Sequence, residues 1–228
     1  MIKKKFYIIV DTETTERGNV ADFGAVICDK RGNIVKKIGV LTPYFQKEKL
    51  FYNRDSGFFG IQNLNLRTEK YREMVKDGKR QLATIRGINE WLAMAQVMYA
   101  PTLTAYNLTF DKGACNKSGI ALPFQNEFCL WKEAARIFGK RVSYINHVLE
   151  HKAISEKLNI KTNADIMSKF LSVETLQDEP HTALEDILDH ELLIFKEIMR
   201  AKKGIKHKPY NWRNHRLIDH VIAKRVKR

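Results

Sequence analysis

The sequence predicts an α/β protein: a mixed sheet that opens with three antiparallel strands, helices flanking it, and a basic C-terminal extension. Three observations carry that expectation. Phe6 to Val10 is a run of aromatic and β-branched residues, the composition of a buried strand, and two more strand-like runs follow it across short turns. Ile85 to Val97 then places Ile88, Trp91, Leu92 and Ala95 on one helical face, ahead of a fourth strand at Thr102 to Tyr106. From Ala201 onward the composition turns to Lys and Arg.

The first strand ends abruptly in Asp11-Thr12-Glu13-Thr14-Thr15. Residues two apart on a strand share a face, so Asp11 and Glu13 are delivered to one point. Neighbouring carboxylates resist ionising together unless a cation sits between them, and hard divalent ions suit oxygen ligands. For this pair alone, the alternative is a strand that ends in a polar turn facing water. Glu16 to Asn19 reads as a turn. Val20 to Cys28 reads as the second strand, with Ala21, Phe23, Ala25 and Ile27 alternating against Asp22 and Gly24. Asp29 to Asn33 has hairpin chemistry and leads into a third strand at Ile34 to Leu41. Pro101 stops the helix before Thr102 to Tyr106, and a strand reached by a helical crossover runs parallel to the first. Later helices are predicted from Asp111 to Asn116 and over Phe128 to Phe138, Asn146 to Leu158, Asn163 to Leu171 and Thr182 to Met199. The last has a broad apolar face, with Pro180 suited to its start.

Two stretches stand apart. Residues 42–82 hold Phe45, Phe51, Tyr52, Phe58, Phe59 and Tyr71 among nine Lys or Arg and five Asp or Glu, with a short helix predicted at Glu69 to Val75. This insertion either packs its aromatics onto the domain or presents them as a nucleic-acid platform, because aromatics stack on bases while Lys and Arg follow phosphates. Residues 201–228 carry ten Lys or Arg against Asp219, +9 of the chain's net +14. They form a solvated tail, a phosphate-contacting arm or a partner-docking helix. A domain over 1–200 and a basic tail over 201–228 follow.

With 228 residues, 44% of them hydrophobic, the chain has the composition of a globular domain with a proper core. Its excess of positive charge points to a polyanionic partner, most often nucleic acid and less often an anionic membrane surface. Cys28, Cys115 and Cys129 show no CxxC spacing and read as the reduced thiols of a cytoplasmic protein, neither a disulfide framework nor a zinc site. The basic start, Met1 to Lys5, precedes an apolar run too short for a signal peptide, and no run is long enough to span a membrane.

Taken together, Asp11 and Glu13 end the first strand, Asp111 follows the parallel strand, and His181 precedes Asp186 at the start of the last helix. Each alone is an ordinary polar residue; the set, in this order, resembles the DnaQ-like 3′→5′ exonucleases of the DEDDh branch. Asp11-Thr12-Glu13-Thr14-Thr15 resembles that family's DxET motif. Phe23-Gly24-Ala25-Val26 resembles EIGAV, with Asp22 where Glu is common. Thr104 to Asp111 resembles HNAxFD, with Tyr106 in place of His and with Asn107, Phe110 and Asp111 matching. His181-Thr182-Ala183-Leu184-Glu185-Asp186 matches HxAxxD, which separates this branch from the one using Tyr. The resemblance runs from residue 5 to 200; the 42–82 segment, the tail, and Glu16 where many members carry Gly are departures.

The resemblance implies an RNase H-like fold with a mixed five-stranded sheet, its fifth strand lying between Phe110 and Pro180. It implies two divalent cations, Mg²⁺ or Mn²⁺, with Asp11, Glu13 and Asp186 around one, Asp11 bridging to the second, and Asp111 supporting that one. His181 is implied as the general base, its ordinary titration near neutrality suiting proton removal from the attacking water. The backbone of Thr12, Thr14 and Thr15, together with Asn107, is implied as a substrate contact. Asn107 is also read as fixing a turn through its side chain, and Phe110 as core behind Asp111. The expected activity is 3′→5′ hydrolysis of single-stranded DNA ends, proofreading or degradative. DNA is favoured over RNA because a large basic excess suits long polymers. The alternatives are an exoribonuclease similar to RNase T or oligoribonuclease, and a non-catalytic nucleic-acid-binding subunit. A polymerase or other replication or repair protein is the expected partner of the tail, and no membrane is expected.

Overall fold

A computed structural model of the chain describes residues 5–50, 64–155, 158–173, 176, 181–201 and 204–205. β1 (Phe6–Thr14), β2 (Val20–Asp29) and β3 (Ile34–Leu41) form the antiparallel meander, with Ile9 opposite Val26 and Gly24 opposite Gly39. α1 (Pro43–Lys47) and α2 (Leu64–Lys76) precede a two-residue strand, β4 (Gln81–Leu82), which pairs in parallel with the end of β3. α3 (Ile85–Tyr99) is the crossover, begun by the Thr84 hydroxyl accepting from the Gly87 N–H at 3.0 Å and ended by Ala100 in a left-handed conformation before Pro101. β5 (Thr102–Ala105) then lies parallel to β1, with α4 (Leu108–Lys117) behind it.

The sheet has six strands in the order β4-β3-β2-β1-β5-β6, one more than expected. The strand that sequence left unplaced is β6 (Glu127–Cys129), which takes the first residues of the expected Phe128 to Phe138 helix. Phe128 pairs with Thr104 and sets its ring edge-on to Tyr7, so burial in a parallel ladder outweighs helical periodicity there. α5 (Leu130–Ile137) follows at once. α6 (Val142–Glu150) starts earlier and stops well before the expected Leu158. Lys152 turns left-handed, with φ 51°, and the Ala153 N–H reaches back to the Val148 carbonyl. α7 (Ala164–Leu171) agrees with the expectation. The C-terminal helix is interrupted: α8 (Ala183–Asp186) passes through a wider π-turn (Ile187–Glu191) into α9 (Leu192–Arg200).

Both faces of the sheet are covered, which is why β1 reads as an unbroken apolar run. Ile8 and Val10 pack with Phe23, Ile88, Leu92 and Cys115 under α3 and α4. Tyr7 and Ile9 pack with Val26, Leu130, Ile187 and Phe195 under α5 to α9. Of the aromatics in 42–82, Phe45 and Tyr71 pack edge-to-face at 5.4 Å against Leu41 and Met74. That is the packing alternative for these two; Phe51, Tyr52, Phe58 and Phe59 lie outside the described residues, as do Pro180 and nearly all of 201–228. Cys28 and Cys115 are buried free thiols, and burial pushes the Cys28 thiol up to about 12, so it is a poor nucleophile. Among the described residues no helix is long and apolar enough to cross a membrane.

Candidate active site

Glycines prepare the site. Asp11 stands opposite Gly24, and Gly24 opposite Gly39, so one row crosses three strands with no side chain on its last two positions. A Cβ at Gly24 would lie 2.6 Å from the Ala183 carbonyl carbon and the Leu184 nitrogen. A Cβ at Gly39 would lie 2.8 Å from Leu184 Cδ2. The first turn of α8 therefore sits directly on the sheet, and Asp186 comes down beside the acids of β1. Just before it, His181 holds a left-handed backbone, φ 54°, with its N–H donating to Asp186 Oδ1 at 3.1 Å. Donor atoms of Glu13, His181 and Asp186 all lie within 4.8 Å of one another.

Asp111 arrives from the other side. β5 stops at Ala105, level with Val10, and α4 starts three residues later, so its first turn meets the end of β1. The Thr12 hydroxyl donates to Asp111 Oδ1 at 2.9 Å, and both residues are buried. Burial pushes the Asp111 carboxyl up to about 7, against the pull of the Thr12 hydroxyl and nearby backbone amides. Burial, then the charges of Glu191, Asp111, Asp186 and Glu13, hold the Asp11 carboxyl well above its ordinary value. Five carboxyls and an imidazole crowded in this way have the chemistry of a hard divalent-cation site.

Several expectations about individual residues change. The Thr15 side chain is fully buried and donates to Glu48 Oε2 at 2.5 Å, while its N–H goes to the Asn19 carbonyl; neither group is available to a nucleotide. Thr14 is buried too. Asn107 is exposed and makes no cap with its side chain; its carbonyl fixes the turn instead, accepting from the Phe110 and Asp111 amides. Phe110 is not core: half of it is exposed, because α4 turns Leu108, Asp111 and Ala114 inward. Tyr106 is buried and donates its hydroxyl to the Thr162 carbonyl.

Sequence reasoning missed two residues. Glu191 is buried, and its charge helps hold the Asp11 carboxyl above its ordinary value. In an α-helix it would sit roughly 140° around from Asp186. In the π-turn the Leu192 N–H bonds to the Ile187 carbonyl, and that i→i+5 pattern brings positions five apart closer to one side of the helix. The other is Arg80, whose side chain is fully buried against Asp22 and Glu185. Burial lifts the Asp22 carboxyl, while Arg80 and the Ala183 amide pull it down. A single Arg in a charged stretch gives no local sign of such burial; Asp22 inside an apolar strand was the available signal. No family model matches this chain, and no curated protein matches it.

Proposed function

We propose that the protein is a metal-dependent 3′→5′ exonuclease acting on single-stranded DNA ends, with an RNase H-like domain of the DEDDh type. The observation that carries this reading is the convergence of Glu13, His181 and Asp186 within 4.8 Å, beside the crowded carboxyls of Asp11 and Asp111. The order of these residues along the chain, and their likeness to the DnaQ-like motifs, support it.

In this reading Asp11, Glu13, Asp186 and Asp111 would hold two divalent cations, Mg²⁺ or Mn²⁺. Such ions, when bound, offset the carboxylate charge and stabilise the charge that builds on the phosphate during in-line displacement. His181 takes a proton from the attacking water as its oxygen bonds to phosphorus. The bond from phosphorus to the leaving 3′-oxygen breaks, and that oxygen is protonated from solvent. The products are a 5′-mononucleotide and a strand one residue shorter. Thr12 keeps Asp111 oriented through its hydroxyl. The basic surplus, +14 over the whole chain, draws the strand in through its phosphates.

The test uses 5′-labelled single strands of DNA and RNA of one sequence, incubated with Mg²⁺ or Mn²⁺ and resolved on a gel. A ladder shortening from the 3′ end, absent with Asp11→Ala, is the expected result, with DNA the faster substrate. Faster RNA cleavage would make the protein an exoribonuclease; binding without cleavage would make it a non-catalytic subunit. His181→Ala is expected to lower turnover by about 10²- to 10⁴-fold while Mn²⁺ still binds. Full activity in that variant would remove His181 from its role.

A further inference from the structure

We infer that the buried cluster Arg80–Asp22–Glu185–Tyr71 positions His181 and Asp186, so that the end of the 42–82 insertion holds the catalytic loop in place. The inference rests on the exonuclease reading and deepens it.

The geometry is specific. Arg80 Nε donates to Asp22 Oδ1 at 3.1 Å, and neither side chain is exposed. Its two terminal nitrogens reach Glu185, Nη1 to Oε1 at 3.1 Å and Nη2 to Oε2. One planar guanidinium therefore bridges a strand residue and the residue next to Asp186, a fork that an ammonium does not reproduce. Asp22 Oδ2 accepts the Ala183 N–H at 2.9 Å. That bond supplies the helix cap that Thr182 does not, since the Thr182 side chain makes no capping bond. Tyr71 shares its hydroxyl proton between Asp22 Oδ2 at 3.1 Å and the His181 carbonyl at 3.4 Å. The cluster thus touches positions 181, 183 and 185, framing a loop whose His181 holds a left-handed backbone that a β-carbon disfavours. Such a conformation persists where the surroundings over-determine it. Arg80 and Tyr71 do so from β4's approach and α2, which links the insertion to the loop through residues 105 and 110 positions apart in sequence.

None of these cluster residues touches the reacting atoms, so they are positioning residues. The test is a double-mutant cycle in single-turnover cleavage of a 5′-labelled DNA strand. Arg80→Lys keeps the charge and loses the fork; it is expected to lower the cleavage rate about 30- to 100-fold with the Michaelis constant for the strand nearly unchanged. With Mn²⁺ saturating in every variant, so that the hold of Asp186 on the metal does not limit the rate, the same change in a His181→Ala background is expected to matter by less than about threefold, because the imidazole it positions is gone. Equal losses in both backgrounds overturn the inference. Should Arg80→Lys fail to fold by circular dichroism, Tyr71→Phe, which removes one hydroxyl, replaces it, with an expected loss of about fivefold against none in the His181→Ala background. Calorimetric titration with Mn²⁺ provides a readout independent of turnover. Displacing Asp186 is expected to weaken Mn²⁺ binding about fivefold in the folded variant, and an unchanged affinity overturns the inference. A wild-type protein that cleaves neither DNA nor RNA rejects the exonuclease reading instead, and the Mn²⁺ titration still decides whether the cluster positions Asp186.

Discussion

Asp111 is held by a neighbour's hydroxyl in a buried place where its own charge is unwelcome. Burial pushes its carboxyl up to about 7 in the folded protein, against about 3.9 in an unfolded chain. The folded state therefore binds the proton more tightly. The stability this contributes is whole below about pH 4 and is lost as pH rises through about 7. Metal-free protein is accordingly expected to melt at progressively lower temperature between pH 4 and pH 7.5. Asp111→Asn, which can still accept from Thr12, is expected to flatten that slope and to raise the metal-free midpoint at pH 7.5 by roughly 2–4 °C per kcal/mol of relieved strain. Millimolar Mg²⁺ is expected to raise the wild-type midpoint at pH 7.5 and to leave Asp111→Asn much less affected. A wild-type midpoint that climbs with pH in the absence of metal would contradict the raised carboxyl. At the same scale, Thr15 and Phe110 show that a motif position does not dictate a side chain's environment. Thr15 is consumed by Glu48 in the turn, and Phe110 faces solvent from the helix that buries Asp111.

The strands matter to the site chiefly through what they leave out. Gly24 and Gly39 sit side by side in β2 and β3, Gly24 against the backbone of α8 and Gly39 against the Leu184 and Arg80 side chains. Gly24→Ala places a methyl against backbone atoms, which cannot swing aside as a flexible side chain would. The expected outcome is a loss of about 1–3 kcal/mol in denaturant unfolding, together with about 10²-fold slower cleavage as Asp186 is lifted from Glu13. Retained activity would mean that the helix tolerates a different seat. The π-turn contributes the opposite way, by adding a side chain. It rotates Glu191 toward the side of Asp186, where it adds to the charge around Asp11. Glu191→Gln keeps the shape and removes one negative charge. It is expected to raise the metal-free melting midpoint by a few degrees and to weaken Mn²⁺ binding a few-fold, both read in one titrated melting series. A midpoint that falls would make Glu191 a structural residue of the core.

Over the whole molecule, two helical layers enclose a sheet, and the acids converge where β1 leaves the shelter of β5. Around that acidic point the chain carries a net charge of +14. In the exonuclease reading, long-range attraction of a polyanion and local repulsion among carboxylates act together, and both depend on ions. Affinity for a single-stranded oligonucleotide, measured with Asp11→Ala to prevent cleavage, is expected to fall at least tenfold between 50 and 200 mM salt. A salt-insensitive affinity would separate the positive charge from substrate binding.

The residues of one sequence window were legible wherever local chemistry decides structure. The run Phe6 to Val10 and its two acids, the meander, the crossover helix and β5 follow from periodicity and turn residues alone, because their burial is set by alternation along a single element. β6 was hidden because its three residues need Leu103 to Ala105 beside them to be a strand at all. The length of α6 was hidden because a left-handed Lys152 ends it without a glycine. Arg80, Glu191 and the orientation of His181 belong to tertiary structure for the same reason. A guanidinium enters a core only when carboxylates from distant segments meet it there, and a carboxylate joins a cluster only when a helix widens to bring it round. The sequence by itself determined which groups are present and in what order; only the fold decided which of them share one point in space, since electrostatics and packing act over distance and not along the chain.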